Sequence, residues 1–127
     1  MIVKTALLCL ALNSYRETRG EEVAAQIAAM KILQNRSELN QTTVCNELKK
    51  NKQFAWVRKY GITDPNPQGQ IDKAAWIQAQ QLAKSVLSND VLVRGITPKH
   101  TYFNESWMGK RYKTKTAVKR IGKMLFY

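Results

Sequence analysis

Apolar side chains run almost without a break from Ala6 to Leu12, which predicts a short helix within residues 3–18 that is buried on most sides. Gly20 follows, and glycine just past a helix end predicts a left-handed stop. Glu21 and Glu22 then open a second helix, where the dipole favours negative charge. Val23, Ile27, Met30 and Leu33 keep the helical period and carry this helix to about Arg36. Past a polar turn, Thr42 or Thr43 is placed to cap a shorter helix that reaches about Lys50. Gln53-Phe54-Ala55-Trp56-Val57 alternates weakly, and its aromatics favour a strand. Asp64-Pro65-Asn66-Pro67-Gln68-Gly69 is a loop by composition. From Asp72 to Leu87, the residues Ala75, Ala79, Leu82, Ala83 and Val86 mark one face of an amphipathic helix.

Beyond Asp90 the pattern turns toward strands. Thr101-Tyr102-Phe103 is β-prone, and the stretch from Ala117 to Tyr127 predicts a hairpin that turns near Gly122. There is no internal repeat or low-complexity tract. The expected fold class is α+β, with helices first and a small C-terminal antiparallel sheet after them. The chain has 127 residues, a length that supports one domain and buries roughly two thirds of the unfolded chain's surface. Residues 1–127 are therefore read as a single domain.

Charge adds a second feature. Twenty-one Lys and Arg against nine Asp and Glu give +12, enough to attract nucleic acid, an anionic membrane or an anionic wall polymer at long range. Part of the charge falls late, in Lys110, Arg111, Lys113, Lys115, Lys119, Arg120 and Lys123. The alternative for this segment is a solvated face that keeps the protein soluble. Cys9 and Cys45 are too few for a disulfide framework and lack a metal-binding spacing, so both are expected to be buried thiols. His100 is the one histidine, with no HExxH or GxSxG nearby, which argues against metal or triad chemistry. No cofactor or metal is expected. At the start, one positive charge precedes a short apolar run with no A-x-A site after it, a poor match to a secretory signal. No window reaches the roughly 18 apolar residues of a membrane span, so the expectation is a soluble protein made in the cytoplasm.

Among the acids, position separates Glu17 from the rest. It falls in the last turn of the first helix, where the dipole disfavours a negative charge, and burial against Leu10, Tyr15 and the second helix would push the same way. Both effects suit a general acid working near neutral pH. Arg16 and Arg19 oppose them. On physics alone Glu17 is a candidate, the alternative being an ordinary surface glutamate paired with a neighbouring arginine.

Tyr15-Arg16-Glu17-Thr18-Arg19-Gly20-Glu21, then Gln26, then Asn35-Arg36, resembles the opening signature of the SleB/CwlJ cell wall hydrolase family. Phe54-Ala55-Trp56, the Trp76 helix, Tyr102-Phe103-Asn104 with Trp107, and Ile121-Gly122 before Phe126-Tyr127 follow in the order of that family's later landmarks. The resemblance covers nearly the whole chain. Thr18 stands where the family usually has Ala, Ala25 where it often has Gly, and Met124 where it often has His.

The resemblance implies a fold like that of lysozymes and lytic transglycosylases. It also implies cleavage of the β-1,4 bond between N-acetylmuramic acid and N-acetylglucosamine in peptidoglycan, with the family's glutamate falling on Glu17. Glycosidases with two carboxylates hold them roughly 5–9.5 Å apart, and this sequence offers no convincing second acid. A lytic transglycosylase needs one glutamate, acid and then base, while the muramic 6-hydroxyl closes a 1,6-anhydro ring. Trp56, Tyr102, Asn104 and Trp107 are candidates to hold sugars, and Gln26 to orient Glu17 or an acetamido group. For each aromatic, a place in the core is the alternative. Asn35-Arg36 reads as structural, at a helix C-terminus.

A single catalytic domain of this kind suggests a monomeric phage endolysin, held in the host cytoplasm until lysis. Its basic C-terminal segment would then meet anionic outer-membrane or wall polymers. A hydrolysing muramidase, with Glu21 or Glu105 as second acid, is the alternative among enzymes. From another class comes a nucleic-acid-binding module built on the Lys110 to Lys123 cluster. No helix-turn-helix, RRM or zinc pattern accompanies that charge, so no nucleic acid is expected as partner.

Overall fold

Thr5 opens the first helix, its side-chain hydroxyl accepting from Leu8 N–H at 3.1 Å, and α1 follows over Ala6–Asn13. The computed structural model describes residues 5–50, 54–105 and 118–127. α1 is apolar on every side, and Cys9 through Asn13 are buried, as a central helix requires. The chain then widens into one turn of π-helix, Ser14–Thr18. α2 is Val23–Leu39, α3 Val44–Lys49, α4 Ala55–Tyr60 and α5 Gly69–Leu87. α1 packs against α5, α3 and α2, so these three helices surround it.

Three short strands complete the fold, β1 Phe103–Glu105, β2 Lys119–Ile121 and β3 Met124–Phe126. β3 lies in the middle and pairs antiparallel with both neighbours, Phe126 opposite Phe103 and Lys119, Met124 opposite Glu105 and Ile121. Strands of three residues are marginal alone. Here one face is anchored: Phe103, Ile121, Met124 and Phe126 are buried, and Phe103 packs against Phe126 and against Phe54 at ring distances of 6.1 and 6.2 Å. The hairpin turns at Gly122, whose φ of +57° suits glycine. The α+β class, helices first and a small antiparallel sheet last, is therefore observed.

Several expectations need correction. Phe54-Ala55-Trp56 does not form a strand; it enters α4. The aromatics that suggested a strand are buried by tertiary contact, while Arg58 and Lys59 sit favourably in the last helical turn. Gly61, at φ +74°, then stops the helix with its N–H on Val57 O. Gly20 takes no left-handed conformation; among the described residues, those with positive φ lie elsewhere. α2 runs three residues past Arg36 to Leu39, and Arg36 lies in its last turn, so Asn35-Arg36 sits at the C-terminal end of the helix as expected.

The largest correction concerns the cysteines. Cys9 and Cys45 are joined in a disulfide, not left as thiols. It ties α1, just before the Glu17 turn, to α3. Two cysteines cannot reveal such a pairing by count, because only the packing of α1 on α3 brings them together.

Candidate active site

Glu17 projects from the π turn that ends α1, and it is exposed. The burial anticipated for it is thus not found: Tyr15 and Thr18, on either side of it in the turn, face inward instead. The position in the last turn of the first helix is as expected, but that turn is wider than α-helical. π turns often mark functional positions because they push one residue outward.

The cause of the wider turn lies in three polar side chains beneath it. Ser14 Oγ donates to Gln26 Oε1 at 3.1 Å, and Thr18 Oγ1 donates to Ser14 O at 3.3 Å while lying 3.3 Å from Ser14 Oγ. Hydroxyls that bond back to the preceding turn bend helices. Gln26 Nε2 then donates to Glu21 O at 3.0 Å. Gln26 is 3% exposed, so its amide spans the segment that holds Glu17, from Ser14 before it to Glu21 after it. One step earlier, Trp56 Nε1 donates to Asn13 Oδ1 at 3.0 Å, with both residues buried.

On the outer side, cations and rings fix the turn. Arg16 lies over the Tyr60 ring at 3.9 Å and Arg19 over Tyr15 at 4.7 Å. Arg19 also pairs with Asp72 in the first turn of α5, at 3.0 Å. Tyr15 meets Trp76 of α5 edge to face at 5.6 Å. Both arginines of the signature therefore brace Glu17's turn against α4 and α5. Glu21, the suspected second acid, has a side chain 12% exposed and lies 3.8 Å from Lys123 Nζ.

A second cluster forms at the start of β1. Asn35 Nδ2 donates to Thr97 O and His100 O at 2.9 and 2.8 Å. Arg36 donates twice to Thr101 O, at 2.9 Å from Nε and 2.7 Å from the terminal nitrogen. Burial lowers the Arg36 pKa from its ordinary value, opposed by Tyr102, Glu47 and Tyr127. Its guanidinium lies 4.7 Å from the Tyr102 ring, and Tyr102 is half exposed and stacks on Tyr127 at 6.1 Å. Asn104 follows on β1, buried, in register with Leu125.

The expected site residues thus divide. Gln26 lies under the Glu17 turn and Trp56 under the residue before it, while Tyr102 and Asn104 belong to the sheet. Trp56, 6% exposed, offers no face to a sugar. Trp107 and the side chain of Glu105 lie outside the described residues, as do Lys110, Arg111, Lys113 and Lys115. Sequence reasoning missed Ser14, and its spacing of four from Thr18 was the available signal, since side chains four apart share a helix face. Among the described residues, no group of three or more His, Cys, Asp or Glu is arranged to hold a metal, and no helix is long and apolar enough to cross a membrane. A cleft of about 460 Å³ between α3 and α4, lined by Leu48, Phe54 and Arg58 among others, shares no residue with the Glu17 turn.

No curated protein and no solved structure matches the chain. The family model described as Cell Wall Hydrolase matches residues 20–127, starting just past Glu17 and taking in Gln26, Asn35-Arg36, α4, α5 and the hairpin. With most of its length in that match, the chain belongs to the SleB/CwlJ cell wall hydrolase family, whose substrate is peptidoglycan.

Proposed function

We infer that this cell wall hydrolase cuts the β-1,4 bond between N-acetylmuramic acid and N-acetylglucosamine as a lytic transglycosylase, with Glu17 as its acid and base. The observation that carries this reading is the exposed Glu17 on a π turn clamped from below by Ser14, Thr18 and Gln26. A rigid mount holds a proton donor at fixed geometry, which general acid catalysis requires.

In this reaction Glu17 gives its proton to the glycosidic oxygen as the C1–O bond breaks. The muramic 6-hydroxyl then attacks C1 and returns its proton to Glu17, closing the 1,6-anhydro ring without consuming water. The pairing of Glu21 with Lys123 favours this one-acid route over hydrolysis, since an ion-paired carboxylate is a poor base for activating water. Tyr102 is the exposed aromatic proposed to lie along a sugar, with Asn104 and Trp107 beside it on the chain. Gln26 acts through the turn, as a positioning residue.

A single domain acting as a monomer suits a phage endolysin, held in the cytoplasm until lysis. The Cys9–Cys45 disulfide would then form after release, because reducing cytosol keeps thiols apart. The basic C-terminal segment would help the enzyme to anionic envelope polymers. Mass spectrometry of muropeptides released from purified peptidoglycan tests the reaction. Anhydro-ended products are expected; reducing ends would establish hydrolysis, and cleaved stem peptides on intact glycan would refute glycan cleavage.

A further inference from the structure

A cleft of about 350 Å³ lies between the segment Val93–Arg94, the N-terminal end of α2 and the β2–β3 hairpin. Arg94, Lys119 and Arg120 line it, with Glu22 the one carboxylate among its lining residues. Its apolar surface comes from the small or branched side chains Ala24, Val93 and Ile121, and among the described residues no aromatic ring lines it. Two of the cations, Lys119 and Arg120, are held in place. Gly95, at φ +87°, leaves room for the Lys119 stem, since a Cβ there would sit 2.9 Å from Lys119 Cδ. Arg120 Nε donates to Gly122 O at 3.2 Å. Glu22, itself exposed, lies beside the same hairpin, its Oε1 being 3.0 Å from where a Cβ on Gly122 would stand.

The chain bounds how far this cleft can lie from the acid. Glu22 is five residues from Glu17, a separation of at most about 18 Å even for extended chain. The intervening π residues and the turn bonded from Glu21 N to Thr18 O make it shorter. A peptide of four residues reaches about 14 Å when extended. We propose that the Arg94–Lys119–Arg120 cleft binds the carboxylates of the stem peptide on the muramic acid being cut, making the enzyme selective for peptide-bearing glycan. The inference rests on the glycan-cutting reading above. Several cations around a small apolar floor fit a short acidic peptide with alanine side chains. Among the described lining residues there is no aromatic ring on which nucleic-acid bases could stack.

The test compares sacculi with intact stems against the same glycan strands after an amidase has removed the peptides. The probe protein is the double variant Arg94→Gln with Lys119→Met, which keeps the lysine's apolar stem and removes two charges; its thermal midpoint is checked against wild type. Wild type is expected to cut stem-bearing strands about tenfold faster in kcat/KM than stripped strands, and the variant to lose that preference while cutting stripped strands like wild type. Equal losses on both substrates, or no loss on either, would overturn the proposal. So would intact stem selectivity alongside lost binding to phosphatidylglycerol vesicles, which would make the cleft a membrane contact. If wild type cuts neither substrate, the glycan-cutting reading fails by itself. The cleft is then judged by titrating N-acetylmuramyl tetrapeptide against its carboxamide form: weaker binding of the amide supports it, and equal binding refutes it.

Discussion

The two ends of α2 each bury a polar side chain, and they use it differently. At the N-terminal end Gln26 is spent on one turn, bonding Ser14 and Glu21 on either side of Glu17. At the C-terminal end Asn35 and Arg36 reach across to a loop more than sixty residues away, holding Thr97, His100 and Thr101 before β1. The first set fixes the turn that carries the proposed acid; the second ties the loop before β1 to the helix. Buried polar residues are costly unless satisfied, and both sets are satisfied by the segments they fix. The lesson is that a family signature spread along one helix mixes two kinds of residue, and distance to the acid in sequence does not sort them.

That contrast is open to measurement. Glu17→Gln should lower kcat by about a hundredfold to ten-thousandfold, as loss of a general acid does, with the thermal midpoint little changed. Near-wild-type clearing of purified peptidoglycan by this variant would remove Glu17 from the chemistry. Reduction of Cys9–Cys45, which closes a separation of 36 residues, should cost about 4 kcal/mol of stability on the chain-entropy view. Denaturant unfolding with and without a strong thiol reductant measures it, and coincident curves would mean the bridge constrains nothing.

Arg36→Ala comes next, at about 3 kcal/mol, because it strips Thr101 O of a charged double donor inside the protein. Its effect should fall on stability, with kcat of the folded fraction close to wild type. Gln26→Leu should do the reverse, costing about 1–2 kcal/mol in stability but lowering kcat about tenfold through a loosened turn. If Gln26→Leu loses stability alone and Arg36→Ala loses kcat alone, the assignment of the two ends is inverted. Lys123→Ala is the smallest change, under about 1 kcal/mol for a largely exposed pair. It frees Glu21, and any rise in reducing-end products would expose a latent hydrolytic route.

Much of the fold was legible along the chain. Thr43 caps α3 through its hydroxyl on Asn46 N–H, the periodicity of Ala79, Ala83 and Val86 marks the buried face of α5, and Gly122 turns the hairpin. These are local signals, set by capping, period and backbone freedom. The Phe54-Ala55-Trp56 segment misled, because its aromatics answer to Phe103 and Asn13 far away in sequence rather than to a pleated neighbour.

The sequence by itself singled out Glu17 as the candidate acid, through its place at the end of an apolar helix, and determined the α+β order of elements. Only the tertiary structure decided how that acid is presented. It widened the helix end into a π turn, turned Glu17 outward, set Gln26 beneath it and Arg16 and Arg19 on tyrosines beside it, and joined Cys9 to Cys45. Each of these depends on side chains that meet across distant parts of the chain, and no local pattern of apolar and polar residues encodes which of them will face each other.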